Sequence, residues 1–446
     1  MSDRLAPRPE ASLGARLARG AAGAITINVA GVGIGFLAQL VLARVLGAES
    51  YGVYAYVSAW VAVLSLLTTL GFQAGLLRFA SAYAAQEQWG LLRGVVRYAE
   101  RRVLLAGMGL AGVGAAIIAG LGDQLSGALA HTFLIGFAVF PVVAILQVRA
   151  SVLRAFGRVV AALVPNRPLR QLVVLLGVGT LGVGMGDVGP PLAMAITLAG
   201  ALLGLGWISR SLRRARPRAL TEAAIAEERT LWLSATRFMF LLAAAQLLMD
   251  RADMLLLGLF DGTTSAGIYA IAYGIAALVT FVLTAVNIIF APTIAALYAQ
   301  GDRSGLQTLV TTTAWWTTLS ALALALPLLV FPEIWLGLFG KAFVAGSNAL
   351  RILIIGQLVN AIAGSVSYLM MMTGQERQAA LIVVGATAGN LVLNLLLIPP
   401  FGMEGAAIAN AATLTAWNVA MAIFVWRKLD IVPSILGSLR GAPAMQ

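Results

Sequence analysis

Between Leu248 and Ala270 the chain reads LMDRADMLLLGLFDGTTSAGIYA, with Asp250, Arg251 and Asp253 set near the end of a long apolar segment. The backbone leaves that segment through Gly262 and returns through Gly267. An ionisable side chain at membrane depth is costly, so where one occurs it faces a bundle interior or a watery cavity and marks a functional site. Asp250 and Asp253 are spaced i,i+3 and are expected on one helix face. Such a pair can take up a proton or a sodium ion and so couple transport to a gradient. The structural alternative is an interhelical ion pair, for example Asp253 with Arg44, that closes the outer mouth. Asp250, Asp253 and Arg251 are thus candidates for coupling or gating.

Arginine is the second chemistry-bearing residue, because its planar fork donates bidentately to phosphate. Arg44, Arg78, Arg154, Arg237 and Arg251 lie within or at the ends of apolar segments. Arg237, in SATRFMF, sits one turn inside its segment, either facing a cavity or snorkelling to the surface. Arg44 lies near the outer end of the first segment beside Glu49, and Arg78 and Arg154 lie at inner ends, where topology alone accounts for arginine. Thr280, Thr284 and Asn287 fall at i, i+4 and i+7 and form a polar stripe. That stripe, like Asn360, Asn390, Asn394 and Asn410, serves either a polar ligand or helix packing, and packing is the commoner use. His131 is the single histidine and cysteine is absent, so no metal cluster or thiolate chemistry is expected. A phosphate-binding loop and a nucleophile triad are missing too, which argues against an enzyme and against ATP use.

These residues are carried by a very apolar chain. Hydrophobic residues make up 60% of its 446 positions and charged residues 11%, where a soluble domain carries about 25% charge. Runs of at least roughly 18 apolar residues identify membrane spans. Twelve are expected, at 22–43, 53–72, 103–121, 131–150, 169–186, 190–208, 233–258, 266–290, 309–330, 349–372, 379–398 and 405–426. Nearly all Lys and Arg fall in alternate inter-span segments, while the opposite set holds only Arg44, Arg251, Lys341 and Arg351. By the positive-inside rule both termini are then cytoplasmic, and the net charge of +12 reflects orientation rather than nucleic-acid binding. The basic segments 73–102 and 209–232 are suited to an anionic inner leaflet.

An internal repeat organises the spans. Tyr54 in GVYAY pairs with Tyr269 in GIYAI, and Tyr83 and Gly90 pair with Tyr298 and Gly305, all at an offset of 215; Gly157 pairs with Gly374 at 217. Six spans per half make the repeats parallel, with a cleft between them. The expected layout is a tail (1–21), an N-terminal lobe (22–208), a basic linker (209–232), a C-terminal lobe (233–430) and a second tail (431–446).

The segment LARVLGAESYGVYAYVSAWVAVLSLLTTLGFQAGLLRF resembles the opening of the polysaccharide-biosynthesis flippases in the multidrug/oligosaccharidyl-lipid/polysaccharide (MOP) exporter superfamily. DMLLLGLF, AGIYAIAYGIA, NIIFAPTIAALYAQGD, LFGKAFVAGSNALRIL and YLMMMTGQERQA are similar to that family as well. The resemblance implies an all-α, twelve-span, two-lobed fold in the bacterial inner membrane. It implies as cargo an oligosaccharide on a polyprenyl (undecaprenyl) pyrophosphate carrier, moved by alternating access for O-antigen, capsule or exopolysaccharide assembly. No cofactor is expected, proton or sodium coupling is left open, and glycan polymerases and glycosyltransferases are the expected partners of a monomeric carrier. Arg237, Arg44, Arg78, Arg154, Asn287, Thr284 and Thr280 are then the cavity candidates. The rival reading is a multidrug cation antiporter of the same superfamily, which would need an acidic cavity.

Overall fold

The computed structural model describes residues 13–122, 125–186 and 188–434, so most of both expected tails lies outside the described residues. Nine helices among them are long and apolar enough to cross a membrane, and Arg170–Gly184 is a shorter apolar helix. Two of the nine are too long for one crossing: Leu13–Thr69 and Glu376–Leu429 each break at one non-helical glycine, Gly47 and Gly402. Counting those halves separately, with the shorter helix, gives the twelve expected spans. Leu13–Thr69 supplies the first and second spans and Glu376–Leu429 the eleventh and twelfth. The third, fourth, sixth, seventh and ninth are Trp89–Leu121, Gly127–Ala155, Pro190–Ala215, Arg229–Phe260 and Arg303–Val330.

The remaining spans are interrupted. The fifth runs through Val159–Val164, a π-turn over Pro165–Leu169, and Arg170–Met185. The eighth joins Thr263–Ala277 to Phe281–Gln300 through a 3₁₀ turn at Leu278–Thr280, and the tenth is Ser347–Ala363 followed by Val366–Met372. Several helices outrun their apolar cores: the sixth continues to Ala215 with Arg213 and Arg214 in its last turn, where cations favour the helix dipole. The connection between the halves is consequently shorter than the polar stretch predicts, covering 216–228.

The repeat is written in the turns. Gly47 (φ 72°) and Gly262 (φ 91°) reverse the chain after the first and seventh spans at an offset of 215, in a left-handed conformation that a side chain would strain. Positive φ recurs in pairs at Gly122 and Gly340, Gly157 and Gly374, Gly186 and Gly402, and Glu87 and Gly301. These five turns between spans thus have counterparts in both halves, whereas the positive φ at Leu70, Gly71 and Gly364 is not repeated. Gly47, Gly122, Gly186, Gly262, Gly340 and Gly402 mark one face of the bundle, here the turn face, and the arginine-rich connections mark the basic face.

The two faces are packed differently. Near the turn face one apolar core crosses both halves, joining Leu42, Tyr51, Tyr56, Val174 and Val178 to Leu257, Ile268, Phe339 and Phe343. Gly52 and Gly267 touch backbone to backbone there, and a Cβ on either would overlap the other span. Toward the basic face the core divides. One part, with Phe72, Leu92, Val148 and Leu212, lies in the first half and takes in Trp232; the other, from Ile294 to Ile431, lies wholly in the second. The halves also touch there along the second and seventh spans, where Gly71 lies against the Thr236 carbonyl. The cleft between them is therefore shut at the turn face and divided at the basic face. Ala55 is buried in the shut end, and the chain has no native cysteine. In an Ala55→Cys background a membrane-impermeant maleimide should fail to label from the turn face, and adding Gly52→Leu should make that cysteine reactive. Labelling that ignores Gly52→Leu would place the seal elsewhere.

Candidate functional site

Two groups of polar side chains lie within the spans, one inside the second half and one at the seam. The first centres on Asp253, which is 4% exposed. Its Oδ2 accepts from the Tyr269 hydroxyl at 2.9 Å and from Asn410 Nδ2 at 2.6 Å, and its Oδ1 accepts from Asn394 Nδ2 at 2.7 Å. Asn394 Nδ2 also reaches the Asn390 carbonyl and side-chain oxygens at 3.0 Å. The seventh, eighth, eleventh and twelfth spans thus meet around one carboxylate. A buried carboxylate is tolerated only when paired or fully hydrogen-bonded, and here neutral donors do that work. The cage is unfinished: Asn390 Nδ2 and Asn394 Oδ1 are buried without a hydrogen-bond partner.

The duplicate half has no such cage. At the repeat offset Asp253 corresponds to Ala38, and Asn390, Asn394 and Asn410 to Val174, Val178 and Met194, all buried and apolar. Tyr54, the counterpart of Tyr269, instead bonds the Thr197 hydroxyl at 3.0 Å. One fold, used twice, is polar at this point in the second half only.

Asp253 and Asp250 part company. Residues at i,i+3 differ by 60° around a helix, and that angle puts Asp253 inside the second half and leaves Asp250 exposed, its Oδ1 3.4 Å from Gln246 Nε2. The Asp253–Arg44 ion pair does not form either. Arg44 is exposed and its Nε donates to the Leu338 carbonyl at 2.6 Å, fastening the first span to the loop before the tenth.

The second group is at the seam. Arg251 lies ten residues before Asp261 at the end of its helix, about 15 Å at 1.5 Å per residue, and so belongs to the membrane interior rather than to the outer segment. It lies within electrostatic range of Tyr51, Tyr273, Asp250 and Arg170. Hydropathy begins the fifth span at 169, which sets Arg170 at its edge, but the helical run begins at Val159 and continues through it. It stands eleven residues past Val159, about 16 Å into the span, just after the π-turn that Pro165 and Pro168 impose. A π-turn inside a helix is frequently found at functional sites. Gly200 packs against the Arg170 stem, and Tyr54 is within electrostatic range of its guanidinium. Two guanidiniums from opposite halves, neither in an ion pair among the described residues, therefore lie within electrostatic range of one another, with Asp250 in range of Arg251.

The other expected residues lie apart from this pair. Arg237 is exposed eight residues into the seventh span, next to Thr236, which packs on Gly71 and Gly75. Arg78 is exposed at the basic face with its guanidinium 5.7 Å from the Phe79 ring centre. Arg154 Nη2 donates to Ser151 Oγ at 2.8 Å. The stripe is broken by the 3₁₀ turn: the Thr280 hydroxyl donates to Gln357 Oε1 at 3.1 Å, and Thr284 bonds back to the Thr280 carbonyl at 3.2 Å. Asn287 is buried with Oδ1 unpartnered. Helix packing does describe Asn360, whose Oδ1 accepts from Asn418 Nδ2 at 3.1 Å. Asn390, Asn394 and Asn410 instead complete the Asp253 cage.

The fold is shared with solved transporters of the MOP superfamily. A MATE-family multidrug transporter of that superfamily in its inward-facing conformation superposes with a TM-score of 0.75 at 15% identity, over 94% of this chain and all of the other. An outward-facing MATE transporter gives 0.63 at 16% identity, over 93% and 94%. In sequence, the probable low-salt glycan biosynthesis flippase Agl15 of Haloferax volcanii is 23% identical over 92% of this chain and 83% of its own length. The polysaccharide biosynthesis protein family matches residues 17–298, and the MatE family matches 239–408. The chain belongs to the polysaccharide biosynthesis protein family.

The Asp253 cage makes a thermodynamic prediction. Truncating Asp253 strands donors that each cost about 1–3 kcal/mol when buried unsatisfied. Asp253→Ala and Asn410→Ala should each lower the melting temperature in detergent. The double variant should lose less than the sum, with a coupling of about 1–2 kcal/mol. Additive losses would mean that the two side chains do not hold one another.

Proposed function

We propose that the chain is a flippase that moves a polyprenyl-diphosphate-linked oligosaccharide across the bacterial inner membrane by alternating access. The carrying observation is the Arg170–Arg251 pair, contributed by opposite halves to a cleft shut at the turn face and divided at the basic face. Two like charges held together in a low-dielectric seam repel, and a ligand with two phosphates relieves that repulsion while accepting both forks. Such a head group would forfeit its hydration in bare hydrocarbon, so it needs a polar passage while its polyprenyl tail stays in lipid. Positive residues on the basic face set that face in the cytoplasm, so the cleft loads from the leaflet where lipid-linked sugars are built.

The multidrug cation antiporter, the rival reading, requires an acidic cleft. Arg170 and Arg251 bring two guanidiniums to the seam from opposite halves, which favours an anion there over a cation. The Asp253 cage is suited to the coupling ion. A half-turn of the Asn394 or Asn410 amide swaps a donor for a carbonyl oxygen, which would surround the carboxylate with the oxygen ligands that hard cations take. Proton uptake would neutralise the same carboxylate. In either case the second half responds to the gradient, and the apolar counterpart in the first half does not.

The test is complementation of a strain lacking the gene, followed by lipid extraction. Arg170→Ala and Arg251→Ala should each accumulate polyprenyl-diphosphate oligosaccharide and lower surface glycan about tenfold or more, since one charge-assisted hydrogen bond contributes about 1.5–3 kcal/mol. Arg44→Ala, expressed at the same level, should complement. Full activity of both seam variants, or altered drug sensitivity with normal glycan, would overturn the reading. Asp253→Asn should abolish the dependence of transport on the proton or sodium gradient in proteoliposomes, and transport that still follows the gradient would remove the cage from the coupling role.

A further inference from the structure

A second basic site lies away from the seam, where the connection between the halves crosses the third span. Arg93, Val96, Arg97 and Glu100 follow one another on one face of that span and line a cavity of about 230 Å³. Val152 of the fourth span, Arg216 at the end of the sixth, and Leu220 and Thr221 of the connection close it. Val96, Val152 and Leu220 are buried and form an apolar floor. The walls are fixed in place. Arg93 Nη1 donates to the carbonyls of Thr221 and Ala223 at 2.8 and 2.7 Å, strapping the connection to the third span. Ala226 N–H donates to the Gly90 carbonyl at 3.2 Å, and the Ala226 carbonyl lies over Gly94 where a Cβ would collide.

The charge in this cavity is unbalanced. Glu100, its one acidic lining residue, is held by Arg149 Nε at 2.7 Å, and Arg149 is braced in turn by Ser209 Oγ at 2.7 Å. Arg93 spends its bonds on neutral carbonyls and keeps its charge. Arg97 and Arg216 are exposed and make no ion pair among the described residues. Three guanidiniums thus line a preformed hollow whose one carboxylate, Glu100, is already paired with Arg149, leaving the lining with net positive charge. The cavity is smaller than the roughly 300 Å³ at which drug-sized sites begin, which fits a single phosphate and a short substituent and excludes an oligosaccharide.

We propose that this cavity is a phosphate-binding site, distinct from the seam and not dependent on what the seam carries, that takes the headgroup phosphate of an anionic phospholipid or free phosphate. Arg97 and Arg216 grip the anion from two sides and Arg93 completes the ring, since guanidinium forks match phosphate oxygens. Occupancy ties the third span, the end of the sixth and the connection into one unit. That unit reaches the second half through Trp232, which is fully buried in the first half's core, with its Nε1 donating at 3.0 Å to the Tyr83 hydroxyl, itself a donor to Glu228 at 3.1 Å. The anion therefore binds beside the joint about which the halves must turn.

The test compares the full chain with Arg97→Gln/Arg216→Gln and with a control, Arg213→Gln/Arg218→Gln, whose arginines lie on the same face outside the cavity. Native mass spectrometry after nanodisc release reads retained phosphatidylglycerol. Thermal unfolding in phosphatidylcholine nanodiscs with added inorganic phosphate reads the soluble ion. Loss of two charge-assisted contacts should cut affinity about tenfold or more in the cavity variant and leave the control unchanged. Selective loss of bound phosphatidylglycerol identifies a lipid headgroup, selective loss of phosphate stabilisation identifies the soluble anion, and either supports the site. Arg97→Lys/Arg216→Lys, which keeps charge without the fork, should recover part of the binding and shows that the fold is intact. Equal retention of lipid and equal phosphate response in the cavity variant and the wild type would overturn the proposal.

Discussion

An arginine has no neutral form to retreat to when it is taken out of water, so a guanidinium inside a membrane protein must have water, a counter-charge or a ligand. Arg170 and Arg251 bring that requirement to the seam from both halves at once, and much of the fold answers it. The π-turn at Pro165–Leu169 sets Arg170 in place, Gly200 packs against its stem, and Tyr54 lies within electrostatic range of Arg170 and Tyr51 and Tyr273 within range of Arg251. The apolar seal above them, with Gly52 against Gly267, keeps the charged seam cut off from the turn face.

Duplication explains the second polar centre by contrast. Both halves share turns, lengths and a tyrosine at the same position, yet Tyr269 meets a carboxylate where Tyr54 meets a threonine. A buried carboxylate held only by neutral donors is a poor stability device, because an apolar replacement of similar shape is often as stable. The first half shows that replacement, with Ala38, Val174, Val178 and Met194. In the second half Asp253 and three asparagines stand at the same place.

The spans, the two-fold repeat and the basic face are legible in the sequence, since hydropathy, glycine spacing and arginine placement act locally along the chain. The depth of Arg170 is not, because a run holding Pro165, Asn166, Arg167 and Pro168 has the composition of a loop, while the fold carries the helix straight through it. Two prolines so close inside a predicted boundary were the available signal. The Asp253 cage is hidden for a different reason: its members come from four spans and lie up to 157 positions apart. Only the i,i+4 pair Asn390 and Asn394, in an otherwise apolar run, hinted at it. The same distances explain why Arg44 reads as a partner for Asp253 and instead holds a loop carbonyl.

The central claim, that the seam arginines jointly hold a diphosphate, is open to direct spectroscopic measurement. Protein with ¹⁵N-labelled arginine, reconstituted with a polyprenyl diphosphate, can be examined by ³¹P–¹⁵N dipolar recoupling in the solid state. Guanidinium–phosphorus coupling should appear on loading, diminish in Arg170→Gln and in Arg251→Gln, and vanish in the double variant. Coupling that persists unchanged in the double variant would contradict the account.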